Sequence, residues 1–182
     1  MDRIEIQTSR LTMRNLLPAD VAELSIVSSQ SIERIMPWDR PASKPGYAQV
    51  AQSWLSSMDD GADIYFVIRL SVNESCLGMA FIRGFRTPFA ELGIYLPEEV
   101  HGRGFGKEAL RGVTTWASKS LENRYVEFPV DEMDVRGVKI AESLQGSIVG
   151  RRANPKCSTV VYRLPLFRNA VEAALSDVFL EQ

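Results

Sequence analysis

The chain predicts an α+β domain, and three observations predict it. Apolar residues recur with period two in some stretches and with period 3.6 in others, so strands and helices are both expected. Strand-like runs at 64–70, 76–84 and 91–96 follow one another across short turns, as in a meander. Between Ala90 and Leu110, AELGIYLPEEVHGRGFGKEAL, a strand passes through a glycine-rich turn into a helix. At 182 residues the chain suits one domain spanning 1–182, large enough for a sizeable core.

The elements follow in order. Ile4 and Ile6, then Leu11 and Met13, alternate with polar residues around a Thr-Ser-Arg break, which predicts a hairpin or bulged strand over 3–15. Pro18 opens a helix with Val21, Leu24 and Val27 on one face. Met36-Pro37-Trp38 ends that region, and a second helix is expected over 46–58 through Val50, Trp54 and Met58, closed by Asp59-Asp60-Gly61. Tyr65 to Ile68 form a continuous apolar run, expected to be buried on both faces. Turns at Asn73-Glu74-Ser75 and Thr87-Pro88 separate the meander strands. Phe105, Ala109, Val113, Trp116 and Ala117 share a helical face, giving a helix over 104–121, and a strand follows at 125–130. Asp134 is placed to cap a helix carrying Val135, Val138, Ala141 and Leu144, with Gly146 ending it as its C′ residue. Strands at 147–151 and 158–164 come next. Phe167, Ala170, Val171, Ala174, Leu175 and Val178 predict an amphipathic terminal helix at about 166–180.

Composition narrows the function classes. A net charge of −2 excludes a generally basic nucleic-acid binder. Arg136, Lys139, Arg151, Arg152, Lys156, Arg163 and Arg168 face only Glu142 over the same stretch, which predicts one basic surface. Such a surface serves coenzyme phosphates, an acidic acceptor, or solvation alone. Cys76 and Cys157 are too few for a disulfide framework, and one histidine gives no metal cluster. No signal peptide or membrane-spanning run is read, so a reduced, cytoplasmic setting is expected, with no membrane and no direct nucleic-acid partner.

The stretch from Leu92 to Lys107 carries the chemistry. Gly102, Gly104 and Gly106 allow a backbone turn with inward N–H groups and no Cβ in an anion's way. The following helix adds unpaired N–H donors and the positive end of its dipole, and Arg103 and Lys107 add charge. This is a phosphate cradle. A Walker loop is excluded, because His101 stands where its first glycine belongs and Glu108 where its hydroxyl belongs. The dinucleotide fingerprint fails at Lys107.

His101-Gly102-Arg103-Gly104-Phe105-Gly106 resembles instead the pyrophosphate loop [QR]-x-x-G-x-[GA] of the GCN5-related N-acetyltransferases, with His101 replacing the usual Gln or Arg. Thr8-Ser9-Arg10-Leu11-Thr12-Met13-Arg14 with Pro18-Ala19-Asp20 is similar to the opening of the RimJ/RimL-like branch, which includes N-terminal acetyltransferases of ribosomal proteins. Met36-Pro37-Trp38, Glu91-Leu92-Gly93-Ile94-Tyr95 and the run from Val130-Asp131 to Leu144 resemble further pieces of that branch. The resemblance covers about residues 3–164, and the terminal helix lies outside it. It implies a central, mostly antiparallel sheet of about seven strands flanked by helices and splayed between the fourth and fifth strands.

It also implies acetyl-CoA as co-substrate, no metal, and acyl transfer to an amine acceptor, either a protein N-terminus or a small molecule such as a polyamine. The resemblance places Leu92, Ile94, Tyr95, the loop His101, Gly102, Arg103, Gly104, Phe105, Gly106 and Lys107, and Asp134 against the coenzyme. Glu91 is the expected base, and a backbone N–H near Ile94 or Tyr95 the expected oxyanion donor, with Gly93 suited to a bulge that frees it. Trp38, Trp54 and Glu91 are expected at the acceptor site, the tryptophans serving alternatively as core. The family's N-x-x-S motif reads Asp134-Val135-Arg136-Gly137 here, so Gly137 has no proton for the leaving thiolate. Tyr95, Tyr125 or solvent is expected to supply it. That departure leaves an acyl-CoA-binding module without turnover as a second reading; a partner-binding protein, whose terminal helix docks on another subunit, is a third. A monomer or homodimer is expected.

Overall fold

Apolar alternation in the first fifteen residues builds a hairpin, β1 (Glu5–Gln7) and β2 (Leu11–Asn15), closed by the Thr8 N–H donating to the Leu11 carbonyl at 2.9 Å. The computed structural model describes residues 3–27, 44–122, 125–153 and 158–166. The two arms are separate strands, so the sheet has eight strands where about seven were expected. Chain order then runs α1 (Val21–Val27), α2 (Lys44–Asp59), β3 (Ile64–Leu70), β4 (Cys76–Arg83), β5 (Glu91–Tyr95), α3 (Phe105–Ser120), β6 (Tyr125–Asp131), α4 (Val135–Ser143), β7 (Ser147–Ala153) and β8 (Ser158–Pro165). The strands lie in the order β1-β2-β3-β4-β5-β6-β8-β7, all antiparallel except β5 with β6. This is an α+β fold. The expected terminal helix lies outside the described residues, and among them no helix is long and apolar enough to cross a membrane.

The sheet separates two apolar cores. On one face Met13, Phe66, Ile68, Ile82 and Leu92 pack beneath α3 and α4, meeting Phe105, Ala109, Leu110, Val113 and Ala117. Leu110 and Val113 are fully buried, each contributing about 1.5–3 kcal/mol. On the other face Tyr65, Val67, Met79, Phe81 and Tyr95 pack against Leu24 of α1 and Ala51, Trp54 and Met58 of α2. β3 and β4 are buried on both faces, which explains their unbroken apolar runs.

Two local expectations change. The bulge lies not at Gly93 but between β3 and β4, where the register shifts at Ile68/Arg69 opposite Gly78. Gly78 has φ +139°, and a Cβ there would meet the Tyr95 carbonyl oxygen at 2.2 Å. Gly93 sits in a regular ladder and is small because the Phe81 ring crosses it, 2.1 Å from where a Cβ would be. At the end of α4 the left-handed C′ residue is Gln145 (φ 61°), not Gly146. The Gln145 N–H donates to Glu142 and the Gly146 N–H to Ala141, which is a Schellman ending with Gly146 one place further on.

Candidate active site

A proline opens the sheet. β5 and β6 pair only at Glu91 and Glu127, where the Glu127 N–H donates to the Ala90 carbonyl at 2.9 Å. Alternate residues of a strand turn their main chains to opposite sides, so the next β6 donor toward β5 belongs to Pro129, which has no N–H. The ladder stops there. By the same alternation the Leu92 carbonyl and the Ile94 N–H point toward β6 beyond the rung, and the ladder gives them no partner there. The strands diverge into a cavity of about 730 Å³, lined by Leu92, Ile94 and Leu96 on one side and by Phe128, Pro129 and Val130 on the other. That volume suits a coenzyme-sized ligand.

The glycine loop forms one end of the cavity. Gly102 (φ 74°) and Gly104 (φ 79°) adopt left-handed backbone, and Gly104 caps α3. A Cβ on Gly102 would meet nothing within 4 Å, so its surface faces open space. Among the described residues none accepts from the amides of 102–107, so the loop and the helix N-terminus carry donors suited to an anion. The loop is held from behind. Glu108, in the first turn of α3, accepts from Thr8 Oγ1 (2.6 Å), Ser9 Oγ (3.0 Å), the Arg10 N–H (2.8 Å) and Arg10 Nε (2.7 Å). Burial alone would raise the Glu108 carboxyl, but the bonds from Thr8, Arg10 and Ser9 outweigh it and hold the group below its ordinary value. Arg10 also donates to the Arg103 carbonyl at 3.0 Å and stacks on Phe105, with Cζ 4.6 Å from the ring centre.

His101, Asp134 and Arg136 close the same end. An Arg136 Nη1 donor lies 2.6 Å from His101 Nδ1; guanidinium only donates, so Nδ1 accepts and Nε2–H donates to the Leu96 carbonyl at 2.7 Å. Asp134 caps α4, accepting from the Arg136 N–H at 3.2 Å. Lys107 and Lys139 line the cavity nearby. Gly137 is buried, and a Cβ there would stand 2.6 Å from Val130 and 2.9 Å from Asp134.

Glu91 stands at the other end, with Oε2 accepting from Arg152 Nη1 at 2.6 Å and its side chain 27% exposed. The second Arg152 nitrogen, Nη2, bonds Glu127, and Arg163 Nη2 stands 3.6 Å from the far oxygen of Glu127. Arg83 lies directly opposite Glu91 in the β4–β5 ladder. Arg83, Glu91, Glu127 and Arg163 therefore occupy one row across β4, β5, β6 and β8.

The expected basic surface is charge-paired where its arginines are described. Arg136, Arg151, Arg152 and Arg163 each meet a carboxylate, Arg151 pairing with Glu132 at 2.6 Å, while Lys156 and Arg168 lie outside the described residues. The acids came from earlier in the chain, where a local charge count does not reach.

The cavity gathers Glu91, Leu92, Ile94, Tyr95, His101, Gly102, Gly104, Phe105, Gly106, Lys107 and Asp134. Arg103 is tied through its carbonyl to Arg10. The Tyr95 ring lies in the core beneath α1 and α2, and its hydroxyl donates to the Val27 carbonyl at 2.5 Å. Trp54 is buried between Tyr47 and Tyr65, away from the cavity lining, and Trp38 falls outside the described residues. Tyr125 lies under the Arg163 guanidinium, 3.9 Å from its ring centre, and does not line the cavity. Sequence reasoning missed Arg10 with Glu108, Pro129 and Arg152. Only Pro129 carried a local signal, a proline in the middle of a strand.

Three solved structures share this architecture. RimL, a ribosomal L7/L12 α-N-protein acetyltransferase, superposes with a TM-score of 0.77 at 14% identity, covering 91% of this chain and 96% of its own. The ribosomal-protein-S5-alanine acetyltransferase from Vibrio fischeri gives 0.74 at 13% identity, covering 91% and 98%. The spermidine N-acetyltransferase from Vibrio cholerae, solved with CoA and spermine, gives 0.74 at 15% identity, covering 87% and 97%. No curated protein matches the chain by sequence. The family model for the acetyltransferase (GNAT) domain matches residues 10–146. An opened parallel pair beside a glycine loop is thus accompanied by the sequence pattern of one family: the chain belongs to the GNAT acetyltransferases.

Proposed function

We propose that this protein transfers an acetyl group from acetyl-CoA to a primary amine by direct attack in a ternary complex. The observation that carries this reading is the cavity, which runs without interruption from the unpaired amides of the glycine loop to Glu91. The loop residues His101, Gly102, Arg103, Gly104, Phe105, Gly106 and Lys107 bind the diphosphate, and Asp134 accepts from the arm that follows. Acetyl-CoA supplies an activated thioester. Glu91, directly or through water, takes the proton that an ammonium must lose before its nitrogen attacks. The Ile94 N–H, beyond the last paired residue on the β6 side of β5, donates to the oxyanion as it develops. The nitrogen–carbon bond forms, the carbon–sulfur bond breaks, the nitrogen gives up its second proton to solvent, and the thiolate collects one. Solvent provides that proton, since a thiol is acidic enough to need little help and the Tyr95 hydroxyl donates to Val27.

The charged row bears on the acceptor. Among the described residues Arg83 and Arg152 line the cavity beside Glu91, with Glu127 and Arg163 behind Arg152 and Asp131 lining it at the far end of β6. That balance supports an acceptor with one amine, such as a protein N-terminus, over a polyamine. Trp54 serves the acceptor side in this reading by supporting the wall from the core, through Tyr65 to the lining residue Phe81.

Acetyl-CoA should raise the thermal midpoint by mass action, and free thiol should appear with N-terminal peptides more readily than with spermidine. Glu91→Gln should lower kcat by about 10²–10⁴-fold and leave coenzyme affinity within about twofold. An unaltered rate removes Glu91 as the base. A second reading, an acyl-CoA sensor, is favoured by Gly137, where Val130 and Asp134 leave no space for a proton-donating side chain. Coenzyme binding without thiol release from any amine would select it.

A further inference from the structure

Resting on the reading of Glu91 as base, we propose that Arg152 is a positioning residue that aims the Glu91 carboxylate at the acceptor. Arg152 reaches Glu91 from β7, the edge strand on the far side of β8. It grips one oxygen only. Oε2 accepts from Nη1 at 2.6 Å, while among the described residues Oε1 has no partner. A carboxylate fixed by one oxygen presents the other in a set direction, and that is the oxygen available for a proton.

Arg152 is fixed in turn. Its other terminal nitrogen bonds Glu127, whose side chain is only 10% exposed. Arg163 stands 3.6 Å from the remaining oxygen of Glu127 and stacks on the Tyr125 ring at 3.9 Å. The chain Tyr125, Arg163, Glu127, Arg152, Glu91 thus extends from β6 and β8 through β7 to β5. A free arginine side chain samples many rotamers. This one is pinned between two carboxylates, one on each terminal nitrogen. Arg152 lines the cavity together with Glu91, and its side chain remains 49% exposed.

The test is a double-mutant cycle read with acetyl-CoA and an N-terminal Ser or Ala tetrapeptide. Arg152→Ala should lower kcat by about 10- to 100-fold through misdirection of the base, with the KM for acetyl-CoA within about twofold. Arg152→Lys should recover part of the loss, and Glu127→Gln, which frees Arg152, should reproduce part of it. In a Glu91→Gln background Arg152→Ala should cost nothing further, because there is no base left to aim. An undiminished additional loss in that background, or an unchanged kcat in Arg152→Ala, overturns the proposal. If Glu91→Gln alone leaves the rate intact, the base reading falls by itself and takes this one with it. Crystal structures of wild type and Arg152→Ala with coenzyme A need no acceptor: Glu91 should keep a single conformer in the first and lose it in the second. The same conformer in both overturns the proposal.

Discussion

Pro129 does by omission what few side chains do by contact. Its missing N–H is the donor that would carry the β5–β6 ladder past Glu91, and its other side faces β8 where no ladder bond is needed. Pro129→Val should restore that donor opposite the Leu92 carbonyl. The ladder would then lengthen, adding about 0.5–1.5 kcal/mol to stability in urea denaturation. The opening would narrow, and calorimetry should show acetyl-CoA affinity reduced by about tenfold or more, equivalent to about 1.4 kcal/mol. At this scale the sequence was uneven as a guide. Gly102, Gly104 and Gly106 announce themselves because glycines at alternate positions after a strand have few other uses. Gly93 misled, since its reason is the Phe81 ring on the neighbouring strand and not its own backbone. Arg152 was invisible as a partner of Glu91, 61 positions away, because periodicity reports which face a residue takes and not which residue it will meet.

At the scale of elements, the β1–β2 turn is a bracket for the start of α3. Thr8, Ser9 and Arg10 converge on the Glu108 carboxylate, and Arg10 continues to the Arg103 carbonyl and the Phe105 ring. Glu108→Ala should therefore cost about 2–3 kcal/mol of stability, because several donors lose a charged acceptor at once. It should also loosen the glycine loop, weakening acetyl-CoA binding roughly tenfold, about 1.4 kcal/mol. Glu108→Gln, which keeps an acceptor oxygen, should lie between. Calorimetric titration beside chemical denaturation separates the two effects. The elements themselves were legible: the strand limits at 64–70 and the Asp134 cap follow from apolar runs and cap chemistry. The contact between Arg10 and Glu108 was not, since the motif around Arg10 reads as a strand opening with no sign of its target.

For the whole molecule, acid is the vulnerable direction. Asp20 is nearly buried, and burial would raise its carboxyl, but Arg14, the Leu17 N–H and Arg69 hold it below its ordinary value. With Glu108 it makes a pair of depressed carboxylates, so in acid the unfolded chain binds more protons than the folded one. Their contribution is complete above roughly pH 5 and is lost as pH falls through the folded values. The thermal midpoint should fall between pH 7 and pH 3.5, and Asp20→Asn should start lower and fall less. On the alkaline side burial raises the Cys76 thiol, whose contribution is present below its unfolded range and fades as pH rises through the folded one.

The eight strands form one sheet, yet its two halves are joined in register by one rung at Glu91 and Glu127. The halves β1 to β5 and β6 to β8 are otherwise held by the helix packing on one shared core and by the arginine that spans both glutamates. A molecule that filled the wedge and met the Leu92 carbonyl and the Ile94 N–H would join the two halves at further points, so how firmly this sheet is tied together depends on whether its slot is full.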